Sequence, residues 1–429
     1  MNNERDFPLY PNEVTKEFLS KCFASNVSSF KLDTSMTAGG VLADAFRVFN
    51  IEYEEKQDLP RSCFLKCTKE IPEVVEMCLS TQVYAKEVYF YSTLIHKVKD
   101  VIRVPDCYGI FKKDSDKECK EFCLVLEDFD QDNWTPFDQF ENPMDYDDTV
   151  QFMKDLGYFH AACWGEPISE DAGLGPFRAH WQNLNDEYWD DGETTWDKAL
   201  PKWKEVYEES LLSLVSDEVA ETVKKIVDIY ASDKGRLIQE ELIKELQNRP
   251  RTITHGDARG NNIFKSRSDG TMGIIDWQMW VAGPASNEFG QVWFNSFSLE
   301  SGMIHKLDEL TSIYYQAMIS KRPDIEKEYP YDLLLDDLKL LFINIWPEYL
   351  GFTVGSIDGY KDPEQAKSKE NWREMMKRNM ETLHYSGCID SFERFISKLN
   401  LSKISLVSLE STAKITLSKL FAFNALSIT

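Results

Sequence analysis

A chain of 429 residues with 42% hydrophobic and 13% aromatic content can fill a packed interior and exceeds what one core usually serves, which predicts two lobes and excludes global disorder. Its 48 basic residues stand against 73 acidic ones, a formal net charge of −25, so nucleic acid and membrane surfaces are excluded as partners and metal ions or cationic molecules are favoured. The nine cysteines include no CxxC pair, no apolar signal core opens the chain, and no apolar run reaches the roughly 18 residues of a membrane span; the expectation is a cytoplasmic protein with reduced, mostly buried thiols and no zinc site.

In chain order, residues 1–12 are polar, carry two prolines and read as an arm, and 13–31 predict a helix. A glycine turn, TAGGV (37–41), precedes two stretches of alternating character, AFRVFNIEY (45–53) and CFLKC (63–67), which predict strands. Pro72 sits where a helix would begin, and 73–98 carries apolar residues at helical spacing. CYGIF (107–111) and EFCLVLED (121–128) predict two more strands, so residues 1–128 read as a small mixed sheet with one principal helix.

From 149 the character turns helical. TVQFMKDLGYFHAACW (149–164) has an apolar face, 180–197 is acidic and aromatic and reads as a loop or cap, and 203–247 predicts two helices. A strand–loop–strand at 252–277 is followed by helices across 302–320, 332–346 and 369–399; residues 401–429, rich in Ser, Leu and Thr, fit neither helix nor strand.

The chemistry concentrates in THGDARGNN (254–262) and GIIDWQ (273–278). Glycine and asparagine mark a loop between hydrophobic strands, and the loop gathers Asp257, Asn262 and Asp276. Phosphoryl transfer asks a protein mainly to position the attacking hydroxyl and to neutralise phosphate charge. Asp257 fits the carboxylate that faces the hydroxyl. Asn262 and Asp276 fit the hard oxygen donors that Mg²⁺ takes alongside its waters. His255 suits bracing of the loop better than acting as a base, and Arg259 has two open readings, a phosphate contact or an ion pair with a nearby acid.

THGDARGNNIF with GIIDWQ resembles the aminoglycoside-phosphotransferase and choline-kinase superfamily, and is most similar to its CHK-kinase-like, or ecdysteroid-kinase-like, branch. Protein kinases would show HRD and DFG where this chain has HGD and Asp276-Trp277-Gln278. The resemblance spans roughly 30–400. It implies an α+β, bilobal, protein-kinase-like fold: a nucleotide-binding lobe at 1–128, a mainly helical catalytic and substrate lobe at 129–400, and a tail of unknown role at 401–429. It implies ATP and Mg²⁺ as cofactors and a small hydroxylated molecule as acceptor. By the same resemblance Gly39 and Gly40 belong to the turn over the phosphates, where backbone N–H groups approach closely. Lys66 is the strand lysine pairing the phosphates, and Glu87 its helix partner, with Glu76 as the other candidate. Glu127 and Phe129 mark the hinge whose backbone would meet adenine, and His160 is a structural hydrogen-bonding residue. One departure stands out: Asn287, in GPASNEFGQVW, occupies the place where the family shows an Asp that anchors the catalytic loop, with Glu288 next to it as a candidate substitute.

For the acceptor, Trp181, Trp189 and Trp196, interleaved with Asp186, Asp190 and Asp191, suit a cationic group by cation–π and charge contacts, or simply fill and solvate the lobe. Trp346, Tyr349 and Phe352 would suit a bulkier apolar alcohol. Choline-like, aminoglycoside-like and sterol-like substrates all remain open. The rival readings are a protein kinase, a nucleotide-binding scaffold without catalysis, and a metal-assisted hydrolase using His255 and Asp257.

Overall fold

The computed structural model describes residues 5–33, 42–55, 58–113, 119–166, 199–201, 203–359 and 366–399. An antiparallel sheet of order β1-β2-β3-β5-β4 forms the N-terminal part, from β1 (Val27–Asp33), β2 (Ala43–Tyr53), β3 (Cys63–Thr68), β4 (Cys107–Lys112) and β5 (Phe122–Glu127). Side chains alternate across a strand. On β3, Cys63, Leu65 and Cys67 therefore point outward into a cluster with Phe46, Val48, Ile51 and Val125, and the arm (Phe7, Leu9, Val14) and α1 (Lys16–Phe23) cover that face. Lys66, between two outward residues and paired with Leu124 across the β3–β5 ladder, faces the other way. On that inner face Phe122, Leu124 and Leu126 meet Val83, Tyr84 and Val88, and this second core continues into the helices beyond. Both faces are covered, which is why β5 reads as an unbroken apolar run.

The helix expected over 13–31 is shorter. Ala24 takes a left-handed conformation that ends α1, and the chain re-enters as β1, whose Val27–Asp33 pairs with β2. The helix expected across 73–98 is divided into α2 (Pro72–Ser80), α3 (Val83–Tyr89), a π-turn (Phe90–Leu94) and α4 (Ile95–Val98). Gln82, at φ +59°, separates the first two.

The remainder is mainly helical. A short strand, β6 (Trp134–Pro136), leads to α5 (Tyr146–Ala162), then α6 (Glu208–Leu212), α7 (Asp217–Tyr230) and α8 (Gly235–Gln247). The 252–277 segment contains β7 (Arg251–Thr254), β8 (Ile263–Ser266) and β9 (Met272–Ile274), and β10 (Val281–Pro284) returns to pair with β7. The helices α9 (Asn287–Asn295), α10 (Leu307–Lys321), α11 (Ile325–Glu328), α12 (Tyr331–Gly359), α13 (Ala366–Tyr385) and α14 (Cys388–Lys398) complete it. Gly387, at φ +67°, splits the helix expected over 369–399 into α13 and α14. The architecture is α+β with an N-terminal antiparallel sheet and a helical C-terminal region, as the sequence implied. All nine cysteines are free thiols. Among the described residues no helix is long and apolar enough to cross a membrane.

Candidate active site

Lys66 joins the sheet to the hairpin. Its Nζ lies 2.9 and 2.7 Å from the two Glu87 oxygens and 2.5 Å from Asp276 Oδ1. The expected Lys66–Glu87 pair is therefore present, while Glu76 is exposed on α2. Two carboxylates share one ammonium, and their surroundings divide them. Burial pushes Glu87 up to about 7, with Lys66 opposing this and Asp276 adding to it. Burial also works against ionised Asp276, but Lys66, with His255 and Arg259, outweighs it and holds that carboxyl below its ordinary value. The paired lysine is itself raised: burial disfavours its charge and the two acids outweigh that.

Asp276 sits in the left-handed region at φ +68°, a conformation that costs a non-glycine residue energy and is concentrated at functional positions. The next few side chains hold it there. Trp277 is fully buried, stacks on Phe90 with centroids 3.9 Å apart, and meets the His255 ring edge-on at 4.6 Å. Phe90 opens the π-turn directly after the helix that carries Glu87. Trp280 donates its Nε1–H to the Lys86 carbonyl at 2.7 Å. Trp277, in the place of the Phe of DFG, and Trp280 thus tie the Asp276 segment to the Glu87 helix. That role was not read from the sequence, although an aromatic residue directly after the aspartate was its visible signal.

The Asp257 loop is built from within. Gly256 has φ +81°, and a Cβ there would lie 2.2 Å from the Met279 carbonyl oxygen, so glycine is required where protein kinases carry Arg. His255 Nδ1 accepts the Asp257 amide at 3.2 Å, which leaves Nε2–H to donate to the Ile275 carbonyl at 2.8 Å. The imidazole, with both nitrogens committed, braces the loop. Asn262 Nδ2 donates to the Asp257 carbonyl at 2.8 Å and to Asp257 Oδ2 at 3.0 Å, leaving the amide oxygen as its lone-pair donor. Arg259 Nε lies 3.4 Å from Asp257 Oδ1 with its side chain 46% exposed.

Glu288 supplies the anchor that Asn287 does not. Its carboxylate accepts the His255 and Gly256 amides and faces His160 Nε2 at 3.6 Å. Burial disfavours this charge, yet His160, His255 and the amide bonds outweigh burial and hold Glu288 below the ordinary carboxylate range. Tyr314 O–H and His160 Nδ1 are 2.6 Å apart, which fixes the ring from behind and fits the structural part expected of His160. Asn287 packs against Gly283 instead, and both its amide atoms are buried without a hydrogen-bond partner. A side chain one methylene longer, one position later, does what the family's aspartate was expected to do.

Other expectations fare differently. The Glu127 carboxylate is engaged by Arg103, which also lies 5.4 Å over the Phe129 ring, and the Glu127 amide donates to the Asp106 carbonyl at 2.8 Å. Phe129 is 8% exposed and stacks on Trp134 with centroids 4.1 Å apart, so its ring belongs to the packing of this segment. Trp346 departs from an expectation: it is fully buried and edge-on to Trp203 at 5.5 Å, inside the helical core. Helix α12 is apolar on most of its circumference, which is why Trp346 points inward. Gly39, Gly40, Trp181, Asp186, Trp189, Asp190, Asp191 and Trp196, and the side chains of Tyr349 and Phe352, lie outside the described residues. The described residues contain no cluster of three or more His, Cys, Asp or Glu able to hold a metal ion. The oxygen set of Asp257, Asn262 and Asp276 nevertheless has the hard-donor chemistry that suits Mg²⁺ with retained waters.

Among solved structures, the chain is similar to a Plasmodium vivax ethanolamine kinase (12% identity, 86% of this chain and 84% of that one, TM-score 0.42). It is also similar to the ADP-bound aminoglycoside phosphotransferase APH(2'')-Ib (14%, 86% and 97%, 0.39) and to a type I macrolide 2'-phosphotransferase (12%, 84% and 98%, 0.41). No curated protein matches the sequence. The ecdysteroid kinase-like family matches residues 42–326, more than half of the chain, and the protein belongs to that family.

Proposed function

We propose that the protein transfers the terminal phosphoryl group of ATP, with Mg²⁺, to a hydroxyl of a small molecule. The observation that carries this reading is the position of Lys66, held between Glu87 of α3 and Asp276 of the hairpin that also bears Asp257 and Asn262. A buried lysine bridging a helix acid and a left-handed aspartate has little use in a hydrolase, and a protein that merely held nucleotide would have no need of Asp257. We also propose that the nucleotide-binding lobe ends near residue 128, where the sheet ends.

In this reading Asp257 orients the acceptor hydroxyl and takes its proton. The acceptor oxygen bonds to the γ-phosphorus, the bond from that phosphorus to the bridging oxygen breaks, and its electron pair leaves on ADP. Lys66 orients the nucleotide phosphates, and Glu87 keeps the ammonium in place. Asn262 and Asp276 would hold Mg²⁺, which supplies charge neutralisation across the phosphates when bound. His255 and Glu288 fix the loop so that Asp257 needs no rearrangement. Membership of the ecdysteroid kinase-like family supports the class of reaction.

Thermal unfolding with Mg-ATP tests this on the wild type and on Asp276→Ala. Ligand at about a hundred times its dissociation constant stabilises by roughly 2.7 kcal/mol. A Mg²⁺-dependent rise in Tm that the variant loses supports the site and warrants screening hydroxylated amines, sugars and sterols for ADP release, which Asp257→Ala should abolish. No rise at saturating nucleotide would sink the proposal.

A further inference from the structure

We propose that Arg259 contacts the phosphoryl group in flight and neutralises part of the charge that develops on it. The inference rests on the ATP-dependent reading above and adds a residue to its chemistry.

The backbone of Arg259 is fixed. Its amide donates to the Asp257 carbonyl at 2.8 Å, and its carbonyl accepts the Asn262 amide at 2.9 Å, so the side chain departs from a rigid turn between Asp257 and Asn262. The guanidinium is not fixed. Its contact with Asp257 is a single approach of 3.4 Å, longer than a hydrogen bond between charged partners, and among the described residues its N–H groups make no hydrogen bond. An ion pair that is 46% exposed on the arginine side holds weakly, about 0–1 kcal/mol, so releasing it costs little. Arg259 therefore stands beside the carboxylate that faces the acceptor.

Lys66 already serves two carboxylates, and Lys265 and Arg103 are engaged by Asp148 and Glu127. Charge spreads over the equatorial oxygens as the phosphoryl group moves from ADP to the acceptor. A planar guanidinium with free donors matches two such oxygens at once, and preorganised donors of this kind act most where charge develops. The bland alternative, that Arg259 serves only to pair with Asp257, leaves those donors idle.

The experiment uses the full-length protein as wild type, Arg259→Ala and Arg259→Lys. Equilibrium dissociation constants are measured for MgADP alone and for MgADP with fluoroaluminate, a planar mimic of the phosphoryl group in transfer. The kcat and KM for ATP hydrolysis, with water as the acceptor, are measured alongside. For Arg259→Ala we expect MgADP affinity and the KM for ATP within twofold of wild type. We expect loss of about 100-fold in both kcat and the affinity gained with fluoroaluminate. Lysine should restore part of both. An intact fluoroaluminate gain in Arg259→Ala overturns the assignment. So does a matching loss with MgADP alone, which would make Arg259 a ground-state nucleotide contact. A wild type that binds MgADP but gains nothing from fluoroaluminate overturns it too, whereas a wild type that binds no MgADP brings down the ATP-dependent reading beneath it.

Discussion

Glu288 Oε1 accepts the backbone N–H of Gly256 at 3.0 Å, and through it the first turn of α9 holds the loop that carries Asp257. The adjacent Asn287 is buried with no hydrogen-bond partner for either amide atom. Removing the Glu288 carboxylate orphans the buried His255 amide, at about 1–3 kcal/mol, and the part-buried Gly256 amide. Glu288→Ala should therefore lose several-fold more stability than Asn287→Ala in urea titrations, and turnover with it. Equal losses would show that the anchor has been assigned to the wrong residue.

The same carboxylate sets a pH dependence. Glu288 is held below its ordinary value of 4.5 in the folded protein, so the stability it contributes is present above that value and is lost as pH falls through the lower folded value. Wild-type Tm should fall more steeply below pH 4.5 than that of Glu288→Gln, whose amide does not titrate. Parallel curves for the two proteins would remove Glu288 from the acid response.

Gly256 should tolerate no side chain. A Cβ there would stand 2.2 Å from the Met279 carbonyl oxygen, and φ is +81°. Gly256→Ala is expected to cost more than about 1 kcal/mol, because strain adds to the clash. It should displace Asp257, lowering kcat more than nucleotide affinity. A variant with wild-type Tm and kcat would contradict the geometry.

Trp277 connects Asp276 to the Glu87 helix through its stack on Phe90. Trp277→Ala should cost about 3–5 kcal/mol as a large core truncation. Trp277→Phe keeps a ring and should retain the fold, yet weaken MgATP binding by relaxing Asp276 and Glu87 together. Unchanged nucleotide affinity in a folded Trp277→Phe would separate the stack from the site.

Lys66→Met leaves Glu87 and Asp276 facing each other without their cation. The prediction is a loss of nucleotide affinity together with a destabilisation that grows with pH, since both acids ionise more fully and repel. Adding Glu87→Gln to Lys66→Met should recover stability at neutral pH and leave nucleotide binding impaired. If stability did not recover, the two carboxylates would not be the source of the strain.

Chemical identity and local geometry were legible in the chain before any fold was known. HGD, the asparagine five residues on and the aspartate of IIDWQ named Asp257, Asn262 and Asp276, and the family resemblance singled out Lys66 on the CFLKC strand. These follow from covalent spacing and from the periods of strands and helices, which act over a few residues. Whatever depends on which distant residues meet belonged to the tertiary fold. Lys66 and Asp276 lie 210 positions apart in the chain and touch. Glu288 took the anchoring part from Asn287 because a longer side chain one position on reaches the His255 and Gly256 amides, a comparison of reach that needs both helix and loop in place. Trp346 looked available for a substrate groove and is buried against Trp203, because a helix apolar on most of its faces goes inside. The break of the long helix at Gln82 and the π-turn at Phe90, where the helix meets Trp277, were likewise absent from the sequence reading.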